Sequence, residues 1–490
     1  RLKYFWLMAF LGTALALASI LFWKARSPFT ISLPSWMPSR LFDYAPTWQV
    51  DDISWPYAFV LSTIALATIL TSVARNENHP AIWAGSLALT ALGLLAVSAG
   101  DPITLLLIWA GLDLVELALL LRSGTRNGGI NPAIHAYGAQ TAGLGSIIIA
   151  VVLQTAQGLP RTLTPEDNLT GLFLLLGASL RLGILPLHLP YRSETSVRRG
   201  FGTILRLVSA AASLSLLGRL PNNLLSHSWA PFLSILLFLP ALYGAWMWLR
   251  ASDEILGRPF WIISLASLAA LTALQGNPTG SIGWGIALLG SGTALFLYSA
   301  RARSIFWLPA TGVWGLSALP FSPTASVWSE GHAWSWLLWP IFVISQAFLL
   351  AGFLRHALHP GEMSFESQQQ WSKILYPAGL FFPAMVILLL GFWGWKGANS
   401  IGHWPLGLTA SILGIVIWQA FRARLANSQL TANLAELRLP LHIVSQVGAF
   451  FLKWLGQLAR TITFLLEGEG GQLWAILVLV ILLSLVFQGG

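Results

Sequence analysis

The sequence predicts an all-α polytopic membrane protein, and three observations carry that prediction. Of 490 residues, 56% are hydrophobic and only 9% charged, against roughly 25% charged in an ordinary soluble domain. Mean hydropathy is +0.70. Apolar runs bounded by Gly, Pro and charge recur along nearly the whole chain. At about 20 apolar residues per crossing and 1.5 Å of rise per residue, this length holds about fifteen membrane helices with short connections. A soluble globular protein is excluded. So are disulfides, thiolate-bound zinc, cysteine-ligated iron–sulfur clusters and thiol nucleophiles, because the chain has no cysteine. The net charge of +9 fits basic loops facing anionic lipid better than it fits nucleic acid, which is not expected as a partner.

The candidate helices lie near 4–23, 56–74, 81–99, 102–121, 131–153, 168–187, 201–219, 230–250, 259–275, 281–299, 304–320, 334–354, 375–394, 402–420 and 472–487. The eleventh runs into Pro320 and Pro323, which predicts a broken helix there. Basic residues test the count, since they are retained on the cytoplasmic side of short loops. Arg75, Arg122, Arg126, Arg192, Arg198, Arg199, Arg250, Arg258, Arg301, Arg303, Arg355, Lys373, Arg422 and Arg424 follow even-numbered helices. Only Lys24, Arg26, Arg40, Arg161, Arg219 and Lys396 follow odd-numbered ones. This asymmetry puts Arg1 and Lys3 in the cytoplasm.

Between the last two candidate spans, Phe421 to Glu469 mixes polar residues with apolar ones at helical spacing, among them Ile443, Val447, Phe450, Phe451, Trp454, Leu458 and Ile462. The pattern predicts an amphipathic helix on the membrane or along partner helices, reaching roughly 60 to 70 Å if mostly helical. Gly468, Gly470 and Gly471 then supply a turn into the final span.

An ionisable side chain inside a membrane helix costs about 2.5–3.5 kcal/mol on insertion scales, so each is a functional candidate. Asp113 and Glu116 stand three residues apart on the fourth helix, on one face. Either they relay a proton, or they are carboxylates neutralised by Arg partners. Arg181 lies on the sixth helix, before Pro186 and His188; Arg206 lies on the seventh, and Glu330 past Pro320 and Pro323. A line of alternating charge through the interior is the cheapest arrangement for such groups. It serves either as a proton relay or as static ion pairs locking helices together. No lysine occurs between Lys24 and Lys373, so buried cations in the centre are Arg or His. Arginine keeps its proton, whereas His135, His188 and His332 have ordinary values near neutrality. No residues pair convincingly as haem ligands.

These residues resemble the antiporter-like proton-translocating subunits of respiratory complex I, shared with multisubunit sodium/proton antiporters and membrane-bound hydrogenases. Val50-Asp-Asp-Ile-Ser54 resembles the family's Val-Asp-Gly-Leu-Ser, with Asp52 in place of Gly. Ala99-Gly-Asp-Pro-Ile-Thr-Leu-Leu-Leu-Ile-Trp109 is similar to the run leading into the family's Trp-Glu, with Ala110 where that relay glutamate stands and Asp113 one turn later. Leu182-Gly-Ile-Leu-Pro-Leu-His188 resembles the segment after the family's key lysine, whose position holds Arg181. Arg206 falls where many relatives have histidine. Leu319-Pro-Phe-Ser-Pro-Thr-Ala-Ser-Val-Trp-Ser-Glu330 resembles the family's Pro-Pro-Thr-Ala segment, with Glu330 at the terminal ionisable position. The resemblance covers roughly residues 45 to 335.

The resemblance implies an antiporter-like fold of about fifteen transmembrane helices with broken helices, plus a lateral amphipathic helix. The domains expected are 1–55 (N-terminal helix and extramembrane loop), 56–335 (antiporter-like core), 336–420 (C-terminal helices), 421–471 (lateral helix) and 472–490 (final span). The family's fifth helix corresponds to the fourth here, so one leading helix is expected ahead of Arg1. Sixteen helices with a lateral helix resemble the distal, largest antiporter-like subunit of complex I.

The function implied is that of a membrane subunit of a redox-driven proton or sodium pump in an energy-transducing membrane. A half-channel axis would run through Asp113, Glu116, Arg181, His188, Arg206 and Glu330. Asp113 and Glu116 would load protons, Arg181 would set their affinity, His188 would shuttle and Glu330 would face the exit. Partners would be other antiporter-like and redox subunits. Quinone and iron–sulfur clusters of an NADH:quinone oxidoreductase-type translocase would sit in those partners, with no cofactor, metal or catalytic site in this chain. The alternative is a non-conducting structural subunit that lost its relay with its lysines. A stand-alone carrier or quinone-binding enzyme lacks any cofactor motif in the sequence.

Overall fold

The computed structural model describes residues 2–35, 44–75, 80–124, 131–185, 187, 191, 199–221, 229–328 and 335–426. Arg1–Ala423 forms one compact unit. Of the second, Arg424–Gly490, the described part is the end of one helix. The fourteen described α-helices are α1 (Leu2–Arg26), α2 (Ser54–Thr71), α3 (Pro80–Val97), α4 (Pro102–Gly124), α5 (Asn131–Ala156), α6 (Asn168–Arg181), α7 (Arg199–Leu217), α8 (Ala230–Arg250), α9 (Glu254–Leu274), α10 (Pro278–Phe296), α11 (Trp307–Leu316), α12 (Ser335–Leu358), α13 (Gln370–Leu389) and α14 (Trp404–Ala426). Ten of the described helices are long and apolar enough to cross a membrane, and α3 and α6 are shorter apolar helices. The chain is a multi-pass membrane protein. The expected span 472–487 and lateral segment lie outside the described residues, apart from 421–426, which complete α14.

Local chemistry sets the helix starts. Asp167, Asp253 and Asn277 cap α6, α9 and α10, each side chain accepting from backbone N–H groups of the first turn. Asp51 and Asp101 do the same ahead of α2 and α4. The Asp253 cap corrects the expectation for the ninth helix. It begins at Glu254 rather than 259, because the Asp253 side chain accepts from the Ile255 and Leu256 N–H groups and fixes the start there, leaving Pro259 inside the helix. Arg258, expected in a loop, is therefore a fully buried residue of α9. Ahead of α2, a hairpin pairs β1 (Phe29–Ser32) with β2 (Thr47–Val50).

Neighbouring helices pack in a repeated scheme. The α3 to α4, α4 to α5, α5 to α6, α6 to α7 and α3 to α7 contacts recur as α8 to α9, α9 to α10, α10 to α11, α11 to α12 and α8 to α12. Successive spans alternate in direction, so an offset of five relates the halves as an inverted repeat, an architecture that places ion sites at broken helices between the halves. The α7 to α10 contact joins them. Every residue of α2 is buried, as is all of α7 except Ser209 and all of α10 from Gly280 onward. Most of α1 and α14 faces outward.

The broken helices are equivalent members of the two halves. The sixth helix stops at Arg181, short of the expected 187, and passes through Gly183, whose φ of +67° suits a residue without Cβ. The eleventh covers only 307–316 of the expected 304–320 and ends in a break with Ala318 and Phe321 at positive φ. Neutral side chains satisfy the freed backbone there. Thr324 Oγ1 donates to the Gly315 carbonyl (2.9 Å) and accepts from Ala318 N–H (3.0 Å). Gln346 Nε2 donates to the Leu316 carbonyl (2.7 Å).

Candidate functional site

A buried ion-pair axis crosses the first half. On α4, Asp113 and Glu116 are one turn apart and face different partners. Arg181, at the end of α6, donates from Nη1 to Asp113 Oδ2 (2.5 Å) and from Nη2 to Oδ1 (2.6 Å), a two-bond fork. Its guanidinium lies 4.3 Å from the centre of the Trp109 ring, on the preceding turn of α4. Close passage of α5 and α6 makes room for it. A Cβ at Gly143 would fall 2.6 Å from Arg181 Cγ and 3.0 Å from the Gly177 carbonyl. Glu116 accepts from Arg206 Nη1 of α7 (3.0 Å) on one oxygen and from Gln140 Nε2 of α5 (2.8 Å) on the other. Tyr191 lies under the Arg206 guanidinium, 5.3 Å away, and donates to the Leu182 carbonyl (3.1 Å). The four charged side chains are at most 2% exposed.

Four of the six axis residues expected from the sequence therefore come together as two closed pairs. His188 and Glu330 lie outside the described residues, as does His332; His135 is on the first turns of α5. The charges were legible as ionisable groups in apolar runs. Trp109, Gln140 and Tyr191 were missed because a neutral side chain in a membrane helix gives no such signal.

Two further networks bracket the axis. At the end expected to be cytoplasmic, Glu254 accepts from Arg199 (2.9 Å) and Arg301 (2.6 Å), and Arg199 also reaches Glu362 (2.6 Å) and the Phe296 carbonyl (2.9 Å). The sequence reading placed Arg199 and Arg301 in loops as orientation markers. Both are instead fastened to a carboxylate at the helix ends. At the opposite end, Arg219 grips Asp51 with two bonds (2.8 and 3.1 Å).

Burial raises the Asp51 pKa, but the Arg219 charge and the Ser54 hydrogen bonds outweigh it and hold the carboxyl below its ordinary value. With the folded value lower than the unfolded one, the pair contributes stability above about pH 4 and loses it as pH falls through the folded value. The melting-temperature gap between wild type and Asp51→Asn is accordingly expected to be wide at pH 7 and narrow at pH 3. A constant gap would refute the assignment.

Two inverted halves, a broken helix in each and a buried line of opposite charges define a polytopic membrane fold built as an inverted repeat. More particularly, the chain has the fold of an antiporter-like membrane subunit. Neither a protein-family model nor a curated protein matches the sequence. Among solved structures, a chain of the Mrp complex from Dietzia sp. DQ12-45-1b superposes with a TM-score of 0.72 at 16% identity, over 98% of this chain and 60% of that one. This chain thus spans about 60% of the length of that Mrp chain. A chain of respiratory complex I from Thermus thermophilus gives 0.61 at 18% identity over 83% of this chain and 94% of that one. A chain of the membrane-bound sulfane sulfur reductase, an archaeal respiratory membrane complex, gives 0.53 at 13%, covering 98% and 99%. At these identities the likeness is one of fold.

Proposed function

We propose that this chain is a membrane subunit of a multi-subunit, ion-pumping complex in an energy-transducing membrane, and that its first-half axis is a charge lock. One observation carries the reading: Arg181 holds both oxygens of Asp113 in a fully buried fork. Proton uptake by Asp113 would break the fork and leave a guanidinium uncompensated inside the membrane, where arginine does not release its own proton. The pair therefore fastens α4 to α6, and the subunit acts through the assembly it completes. Its driver, in this reading, is a redox reaction carried out with quinone and iron–sulfur clusters in partner subunits, and the pumped ion is a proton or sodium.

A second reading, conduction, is favoured by the unequal treatment of Glu116. One of its oxygens meets a neutral amide, Gln140, which can turn to accept from a protonated carboxyl. Trp109 Nε1, Ser179 Oγ and Arg181 Nε are buried without a hydrogen-bond partner among the described residues, a pattern suited to bridging water.

Protons moved per turnover of the driving reaction, measured in inverted vesicles, separate the two. The paired change Asp113→Asn with Arg181→Gln is expected to leave this ratio unchanged. A clear fall in the ratio with the complex intact would overturn the lock and establish conduction.

A further inference from the structure

The ends of α8, α12 and α14 meet on one side of the membrane, as alternation of spans requires. Each carries an arginine outside every ion pair found among the described residues. Arg355, near the end of α12, donates from Nη1 to the Leu249 carbonyl in the last turn of α8 and lies over the Phe421 ring of α14 at 5.4 Å. Arg250, next to Leu249, lies over Trp246 at 5.7 Å, and Trp246 packs on Phe348 of α12 at 5.4 Å. Arg422, next to Phe421, lies over Trp418 at 5.9 Å. Arg355 thus bridges the ends of α8 and α14, and Arg250 and Arg422 stand beside the residues it touches.

Nearby carboxylates are committed elsewhere. Asp253 caps α9 through the Ile255 and Leu256 N–H groups, and Glu254 is held by Arg199 and Arg301. The three cations are at least partly solvent-accessible, and Arg422 is exposed. Along the same helices toward the membrane interior, Ile235 and Leu239 of α8 and Leu408, Ile412 and Val416 of α14 are exposed aliphatic side chains.

We propose that this junction binds one anionic phospholipid. The three guanidiniums hold its headgroup phosphate, the aromatic rings fix their positions, and the acyl chains lie along the exposed faces of α8 and α14. Charge complementarity selects this occupant. The cytoplasmic leaflet supplies anionic headgroups at the depth where the basic helix ends lie, and arginine matches phosphate with paired N–H donors. A zwitterionic lipid brings its own cation to an already positive site.

The test is native mass spectrometry of the full chain, titrated with phosphatidylglycerol or phosphatidylcholine. Wild type is expected to retain one phosphatidylglycerol about tenfold more tightly than phosphatidylcholine. With each arginine near an anionic surface contributing about fivefold, R422Q alone should weaken retention about fivefold, and R250Q/R355Q/R422Q by about a hundredfold. R422K, which keeps the charge but loses the paired donors, should fall between wild type and R422Q. Arg422 is exposed, so R422Q should leave melting unchanged, which keeps the test valid if the triple variant misfolds. Equal retention of the two lipids, or equal phosphatidylglycerol retention by wild type and R422Q, would overturn the proposal. Displacement by millimolar inorganic phosphate would overturn it in favour of a free-anion site. A photo-crosslinker at position 422 that captures a protein chain in the parent complex would overturn it in favour of a protein contact.

Discussion

Arg181→Leu is expected to destabilise the protein by about 3–5 kcal/mol, the usual cost of removing one member of a buried ion pair. Asp113, buried with its partner, would be left as a lone carboxylate in the membrane. Combining Arg181→Leu with Asp113→Leu is expected to recover most of the loss, because a well-packed apolar pair avoids the desolvation penalty altogether. Unfolding midpoints in detergent for wild type, both single variants and the double variant close the thermodynamic cycle. Additive losses in the double variant would mean that the two side chains do not depend on each other.

The second large effect is expected at the α11 break. Thr324→Val keeps the side-chain shape but deletes a hydroxyl that serves Gly315 and Ala318 together. Two backbone groups are then left unpaired in a buried setting, at about 1–3 kcal/mol each, so a total of roughly 2–6 kcal/mol is expected. Thr324→Ser should retain most of the stability. Thermal midpoints for the two variants check this, and near-identical behaviour of Val and Ser would mean that the hydroxyl is not what holds the break.

Much of this architecture was legible because lipid is a demanding solvent. Backbone groups must pair within each segment, so apolar length alone finds helices. Boundaries failed where local chemistry acts inside an apolar run, as at the Asp253 cap and the turn after Arg181. Asp113, Glu116, Arg181 and Arg206 stood out by charge, but their pairing did not. Asp113 meets Arg181 68 residues away and Glu116 meets Arg206 90 residues away, choices made by helix packing. The Arg199, Glu254, Arg301 and Glu362 network was missed because position near a helix end does not say whether a cation faces lipid headgroups or a carboxylate. The spacing of Arg199, Thr203 and Arg206 on one face of α7 was the available signal.

Helix α7 is almost featureless along Ser209-Ala-Ala-Ala-Ser213, and a smooth apolar helix among other apolar helices has little to stop it sliding. A slip of one residue moves every side chain by about 1.5 Å and turns it by about 100°. Arg199 at its start, Arg206 seven residues on and Arg219 just past its end each grip a carboxylate on a different element: α9, α4 and the segment leading into α2. They act as index pins at three depths, and no slip or rotation can keep all three engaged. Motion passing between the inverted halves must therefore carry α7 as a rigid shaft, or exchange one guanidinium partner for another in a discrete step.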